Sequence, residues 1–331
     1  MSGHAGHTPD DLPRAIGRYR IEARLDHGPI DDMYRGFDPN IERPVVVKVF
    51  RPNEFGPAPE SAIKQAFYQE MQRAGLLMHH GIAALFDAGE HAGQLFMATE
   101  FVDGESVADR IAHGVTWDVQ GRASILIQML DALNFACDLG VPHLNLKPSK
   151  IVIGPGHAVK IGGFGAGAFV SRLASLTSAP IARSSYAAPE HELADARADV
   201  YSAALIARDL LEAADSMPPQ YLIDHGVDFQ QLQEILAKAS APSQGDRFST
   251  PEAFKLELLL ALGVPDSHFW LDPHEAATAA AADPEAETKA ILTPSGVYVL
   301  PDSAATILSQ PDAPSDPDAP TMMQGPKKNP S

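Results

Sequence analysis

Two patterns of hydrophobic and polar positions divide the chain near residue 102. Before that point, short runs rich in β-branched and aromatic residues predict strands, and these runs are YRIEARL, DMYRGFD, PVVVKVF and LFMATEFV. One stretch, 61–79, instead places apolar residues three and four positions apart, which is typical of an amphipathic helix. We therefore expect a sheet with one helix over residues 18–102.

Helical spacing dominates from residue 103 onward. Apolar residues recur at three- and four-residue steps in the segments 119–139, 197–213, 229–239 and 251–262. A mostly helical lobe is therefore predicted over 103–264. The fold class that follows is α+β, with a small β-rich lobe ahead of a larger helical one.

The two ends of the chain have a different composition. Residues 265–331 are rich in proline, alanine and aspartate and bury too little apolar surface to offset their ordering entropy, so we predict that they are mostly disordered. Within them, the run ILTPSGVYVL at 291–300 predicts a short hairpin, and whether it docks on the folded part stays open. Residues 1–17 are predicted to be a flexible end.

Charge and cysteine content exclude several classes of function. The 331 residues hold 25 Lys+Arg and 43 Asp+Glu, a net charge of −18, which argues against nucleic acid or a membrane surface as the main partner. No run of about 18 apolar residues predicts a membrane span. The single cysteine excludes an intrachain disulfide and suits a reducing compartment, and the N-terminus lacks the apolar segment of a signal peptide. We expect a cytoplasmic protein.

The run VPHLNLKPSKIVIGPGHAVKIGGFGAGAF, 141–169, carries the most specific chemistry. It is similar to the catalytic loop of protein kinases, His-Arg-Asp-Leu-Lys-Pro-x-Asn, and keeps His143 and Lys147 of that pattern. Thirteen residues after Lys150 comes Gly163-Phe164-Gly165, in the place of the Asp-Phe-Gly metal motif.

Other kinase motifs occur in the expected order. Lys48 in VVVKVF matches the third-strand lysine, and Glu70 matches the helix glutamate that pairs with it. Further along stand Ala188-Pro189-Glu190, Asp199 at the start of a buried helix, and Arg247, which would pair with Glu190. Over about residues 18–264 the chain resembles the bacterial serine/threonine protein kinases, which implies the two-lobe kinase fold. For Lys48 and Glu70, a phosphate-positioning role and a purely structural ion pair are both open.

Three departures from the family pattern remove its chemistry. Asn145 replaces the aspartate that would accept the substrate proton, and it has no titratable acceptor. Gly163 replaces one Mg²⁺ ligand with no side chain, and Lys150 replaces the other with a cation, whereas Mg²⁺ requires hard oxygen ligands. We expect no metal site and no bound Mg²⁺.

The nucleotide-binding positions are also altered. Of the three glycines that would cover the phosphates only Gly28 remains, and Asp26 and Asp31 stand at the other two positions, where carboxylates repel phosphate. Val46 adds methyl groups toward the adenine site, Thr99 would lie at its back, and the hinge would run from Glu100 to Val102. ATP is the one cofactor that the resemblance leaves open, and we expect its binding to be weak or absent.

These losses together favour a pseudokinase, a scaffold or allosteric regulator that binds protein partners in phospho-signalling. The alternative is an ATP-binding kinase or other nucleotide-dependent transferase with unconventional catalysis, and a nucleotide sensor is a third option. Lys48, Lys147 and Lys150 surround the altered site, and they form either a metal-independent anion site or a solvated basic rim. The partner and the oligomeric state do not follow from the sequence.

Overall fold

The fold was analysed in a computed structural model. It describes residues 12–51, 58–115, 117–177, 184–190, 194–212 and 227–263, together with the backbone of 289–293 and 296–300. The chain divides into two units, Met1–Ser267 and His268–Ser331. The predicted disorder of 265–331 falls outside the described residues apart from the two short strands of the second unit.

A six-stranded antiparallel sheet forms most of the first lobe, as the alternating segments predict, and its strand order is β1-β2-β3-β4-β6-β5. The strands are β1 (Ala15–Ile16), β2 (Tyr19–His27), β3 (Asp31–Asp38), β4 (Arg43–Phe50), β5 (Leu85–His91) and β6 (Gln94–Glu100). One helix, α1 (Glu60–Ala74), lies between β4 and β5 in the chain.

Alternation along the strands gives the sheet two apolar faces. Val45, Val47 and Val49 of β4 lie in one buried cluster with Tyr19 and Phe96. On the other face, Phe50 and Met97 pack with Phe67 of α1 and with Phe169, which comes much later in the chain. The residues between them on β4, including Lys48, therefore belong to the face that α1 covers.

The second lobe is helical with one small sheet. Its helices are α2 (Val107–Ala112), α3 (Val119–Asp138), α4 (Ala166–Thr177), α5 (Ala196–Glu212), α6 (Phe229–Ala239) and α7 (Pro251–Ala261), and its strands are β7 (Glu105–Ser106), β8 (Ile151–Ile153) and β9 (Val159–Ile161). Helix α3 is buried along most of its length and packs against α5 and α7. The four helices predicted in this lobe agree with α3, α5, α6 and α7 to within a residue or so at each end.

Two expectations about element ends are wrong. Residues 12–17 are not a free end, because β1 pairs with β2 and Ile16 is buried beside Tyr19; residues 1–11 lie outside the described part. The predicted helix 61–79 ends at Ala74, and Gly75 caps it. The apolar spacing extends beyond Ala74 because Leu77, in the loop that follows the helix, is also buried.

The predicted tail hairpin is confirmed in the second unit. Strands β10 (Lys289–Thr293) and β11 (Gly296–Leu300) pair antiparallel, with Ile291 opposite Tyr298. Within the described residues, no helix is both long enough and apolar enough to cross a bilayer.

Candidate functional site

The turn between β2 and β3 carries Gly28 and leads into Asp31, two of the positions at which the family resemblance implies a phosphate-covering loop. The Gly28 N–H donates to the Asp31 carbonyl at 2.8 Å, and Arg51 donates to the Gly28 carbonyl and to the Asp32 carboxylate. Ile30 packs against the apolar cluster beneath α1. Hydrogen bonds from Arg51 and the packing of Ile30 therefore hold the turn in place.

Lys48 forms its ion pair with this turn. Its Nζ donates to the Asp31 carboxylate at 2.9 Å, and both side chains are largely shielded from solvent. Asp31 lies opposite Phe50 in the register and Met33 lies opposite Lys48, so Asp31 and Lys48 are diagonal neighbours on one face of the sheet. Sequence reasoning missed this ion pair, because the pair depends on the register between β3 and β4.

Glu70 does not pair with Lys48, so the ion pair that the family resemblance implied is wrong for this structure. The buried Glu70 carboxylate instead contacts Arg172 of α4 at 3.4 Å and Arg73 of its own helix at 3.6 Å. Two arginines compensate the charge of Glu70, while Asp31 compensates that of Lys48. The two residues therefore have separate partners.

Helix α4 provides Arg172 and directly follows the Gly163-Phe164-Gly165 motif. The Phe169 ring is fully buried and makes edge contacts with Phe50 and Phe67, at centroid distances of 5.1 and 5.3 Å. Gly165 has a positive φ of +82°, and a Cβ atom there would lie 2.9 Å from atoms of Ala74 and Met71. Only a glycine therefore lets α4 approach α1 so closely. The helix itself was missed, although its apolar residues Phe169, Val170 and Leu173 recur at three- and four-residue steps.

The catalytic-loop motif is held by Asp199 of α5. Its carboxylate accepts the backbone N–H groups of His143 at 2.6 Å and Leu144 at 2.8 Å. Leu144 has a φ of +56°, a left-handed conformation that is unfavourable for a branched residue and that these bonds stabilise. Burial raises the pKa of Asp199 to about 7, although the two N–H donors act in the opposite direction.

His143 has a structural position in this loop. Its Nε2 lies 3.1 Å from the Gly162 carbonyl, and its ring packs edge-on against Phe164 at 4.7 Å. Burial, with a smaller contribution from Lys150, lowers the pKa of His143 to about 3. His143 is therefore a neutral residue of the core at ordinary pH.

Asn145, Lys147 and Lys150 follow His143 around the same turn. The backbone N–H of Asn145 donates to His143 Nδ1 at 3.2 Å, which fixes the backbone at this position. The Asn145 side chain is a neutral amide and has no titratable group to accept a substrate proton. Lys147 precedes and Lys150 ends a single 3₁₀ turn, Pro148–Lys150, so both side chains leave the chain within one turn of each other. The structure thus brings these predicted positions together.

The Lys150 side chain occupies the space in front of Gly163. A Cβ atom on Gly163 would lie 3.6 Å from Lys150 Nζ, so the ammonium stands about where a carboxylate at residue 163 would begin. Burial, followed by the charges of Lys48 and Lys147, moves the pKa of Lys150 well below its usual range. Mg²⁺ does not fit here, because one ligand position has no side chain and the other holds a lysine, which offers no oxygen ligand.

The positions predicted for an adenine ring are adjacent. Val46 on β4 lies directly opposite Thr99 on β6, and Thr99 is nearly buried. Glu100 ends β6 and accepts two contacts from Lys160 of β9 at 2.7 and 2.9 Å, an ion pair across the connection between the lobes that sequence reasoning missed. Val102 follows in the connecting segment.

The motif after α4 is fixed as its residues predict. Arg247 donates to both carboxylate oxygens of Glu190 at 2.7 Å, and the Arg247 side chain is completely buried. Arg247 also donates to the Ala241, Pro242 and Arg197 carbonyls. Across the described ranges, no cluster of three or more His, Cys, Asp or Glu side chains could hold a metal ion.

Comparison with known families agrees with this geometry. Residues 19–258 match the family described as "Protein kinase domain", a segment that includes every predicted site residue. The match covers the sheet from β2 onward, α1, the catalytic-loop motif and most of the helical lobe.

Curated relatives carry matching names. The chain is 27% identical over 272 residues to "Serine/threonine-protein kinase PknB" of Mycobacterium leprae, which covers 75% of this chain and 43% of that protein. It is 28% identical over 280 residues to the protein of the same name from Mycolicibacterium smegmatis, which covers 76% of this chain and 44% of that protein. The chain thus aligns with less than half of the length of these relatives.

Proposed function

The chain belongs to the protein kinase domain family, and from this premise we propose that it is a pseudokinase, a non-catalytic member that acts as a scaffold or allosteric regulator in phospho-signalling. Phosphoryl transfer requires a positioned nucleotide, metal ions on its phosphates and a base for the acceptor hydroxyl. Asn145, Lys150 and Gly163 stand at the positions of the base and of the two metal ligands.

The observation that carries the proposal is the position of Lys150 in front of Gly163. The Nζ atom lies 3.6 Å from the point at which a side chain of residue 163 would begin. A divalent ion there would meet a lysine amine in place of the carboxylate and amide oxygens that it requires. Metal-assisted transfer is therefore not supported by this cleft.

The arrangement of the charged residues adds support. Asp31, at the end of the β2–β3 turn, forms an ion pair with Lys48, and Arg172 of α4 forms one with Glu70. A phosphate that approached Lys48 would have to displace a carboxylate of the same sign. We expect ATP with Mg²⁺ to bind weakly or not at all.

A folded surface remains when the chemistry is lost. The helical lobe keeps the buried Arg247–Glu190 pair and the Asp199 bonds to the catalytic-loop backbone, which fix these segments in place. We propose that this surface binds protein partners in the cytoplasm.

A transfer assay tests the proposal. The full chain is incubated with γ-labelled ATP, Mg²⁺ or Mn²⁺, and myelin basic protein as a generic acceptor, alongside Lys48→Ala. We expect equal and background-level labelling of acceptor and chain in both proteins. Labelling by the wild type above the Lys48→Ala background would favour the alternative, a transferase with unconventional catalysis.

A further inference from the structure

We propose that the cleft binds a metal-free phosphate-ester anion of di- or triphosphate length through the ammonium groups of Lys48, Lys147 and Lys150, and that Asp31 is the chain's own competitor for this site. The inference rests on the proposed function, since it takes the loss of the metal ligands as its starting point. It adds a ligand class and an intramolecular regulator to the same cleft.

Two of the three lysines make no direct ion pair in the described part of the chain. Within the part of the chain that the structure describes, neither the Lys147 nor the Lys150 ammonium makes an ion pair or a hydrogen bond. The other lysines of the folded unit with described side chains pair with carboxylates, except Lys238, which lies over the Phe248 ring. Partly buried ammonium groups without a direct ion pair favour a bound anion.

The three charges also act on each other. Lys48 and Lys147 are close enough to Lys150 to lower its pKa, in addition to the effect of burial. The Asp31 and Asp199 carboxylates are close enough to raise that pKa, but Asp31 pairs with Lys48 and Asp199 accepts two backbone N–H groups. A phosphate chain among these lysines would reduce the repulsion between them and favour the protonated form of Lys150.

The geometry favours the anion without its metal. In a metal-bound nucleotide, much of the phosphate charge is already compensated by the divalent ion, and that ion would lie beside Lys150. The free anion keeps its full charge for three ammonium groups. Added Mg²⁺ should therefore weaken binding, since it removes free anion and repels Lys150.

Asp31 occupies the site in the unliganded chain. Its carboxylate lies 2.9 Å from Lys48 Nζ, and the turn that carries it is fixed by Arg51 and by Ile30. An anion contacts the Lys48 ammonium only after the ion pair between Lys48 and Asp31 breaks. Removal of the Asp31 charge should therefore strengthen anion binding, whereas loss of Lys150 should weaken it.

Titration calorimetry of the purified full chain in EDTA tests the inference. The probes are ATP, inorganic triphosphate and adenosine, which distinguish a nucleotide from a free polyphosphate as the source of the anion. We expect ATP to bind, Asp31→Asn to bind about tenfold more tightly, and Lys150→Gln about tenfold more weakly, as for one charge-assisted contact. Lys147→Gln is a second weakening variant in case Lys150→Gln fails to fold, and Lys238→Gln is the matched control with unchanged affinity.

The outcomes separate cleanly. Equal binding of ATP and inorganic triphosphate supports a polyphosphate site, and binding of ATP alone supports a nucleotide site. The inference is overturned if wild type and Asp31→Asn both bind no phosphate probe in EDTA, if binding requires Mg²⁺, if adenosine binds as tightly as ATP, or if the folded lysine variants bind like wild type. Phosphoryl transfer by the wild type would overturn the pseudokinase proposal through a different assay.

Discussion

The Lys150 ammonium lies 3.6 Å from the position that a Cβ atom of Gly163 would occupy. Two altered positions of the family pattern are thus one structural change, because the side chain lost at residue 163 leaves the space that the lysine fills. The same lysine is held near two others, Lys48 and Lys147, that affect its pKa. Lysine side chains therefore line the part of the cleft in which the family resemblance implies ligands for a metal ion.

A pair of substitutions at Gly163 tests this spatial relationship. Gly163 has a φ of +93°, so Gly163→Ala should destabilise the fold by about 1–2 kcal/mol through backbone strain. Gly163→Asp places a carboxylate beside the Lys150 ammonium, which should offset part of that strain. Urea unfolding should show the aspartate variant to be the more stable of the two, and the reverse order would mean that Lys150 does not face residue 163.

Phe169 should be one of the main anchors of α4. The ring is fully buried between Phe50 and Phe67, so Phe169→Ala should cost about 3–5 kcal/mol of unfolding free energy. Hydrogen exchange should also become faster along α4, since the contact with α1 is lost. Leu176→Ala on the same helix, at a side chain that is 42% exposed, is the control and should change stability by less than about 1 kcal/mol. Equal effects at the two positions would contradict the packing described for Phe169.

The Glu190–Arg247 pair should be essential for stability. Arg247 is completely buried, and Glu190→Ala would leave its charge uncompensated, at a cost of about 3–5 kcal/mol. Glu60→Ala removes the pair with Lys64, in which the glutamate side chain is 80% exposed, and should change stability much less than Glu190→Ala. Denaturant unfolding of both variants makes the comparison, and a loss at Glu190 no larger than at Glu60 would contradict the buried ion pair.

His143 should make the fold sensitive to acid. Its pKa is lowered to about 3 in the folded chain against 6.5 unfolded, so the unfolded state binds the additional proton between these values. The stabilisation is fully present above pH 6.5 and falls as the pH falls toward 3. Between pH 7 and pH 5, His143→Asn should therefore lose about 2 kcal/mol less stability than the wild type. Parallel pH profiles of the two proteins would show that His143 is not buried in its neutral form.

The sequence predicted the elements that repeat a simple period. Helices α3, α5, α6 and α7 and the strands around Lys48 follow from apolar spacing, and motif order implied the Arg247–Glu190 pair and the role of Asp199. These features depend on local pattern or on contacts that the family fold requires.

The partners of Lys48 and Glu70 did not follow in the same way. The family resemblance paired them with each other, whereas the folded chain gives Lys48 to Asp31 and Glu70 to Arg172. The Lys48–Asp31 pair depends on the β3–β4 register. The Glu70–Arg172 pair depends on the close approach of α4 to α1, which glycine at position 165 allows. Both are tertiary facts that no local period specifies.

The most direct test of the central claim is the amount of divalent metal that the full chain retains with ATP. Equilibrium dialysis with Mn²⁺ and ATP, with the metal in each compartment counted by electron paramagnetic resonance, measures this quantity for wild type and for the triple variant Asn145→Asp, Lys150→Asn, Gly163→Asp. We predict no excess Mn²⁺ on the wild-type side and a measurable excess with the triple variant, whose acidic and amide oxygens suit the ion. One Mn²⁺ retained per wild-type chain would contradict the account.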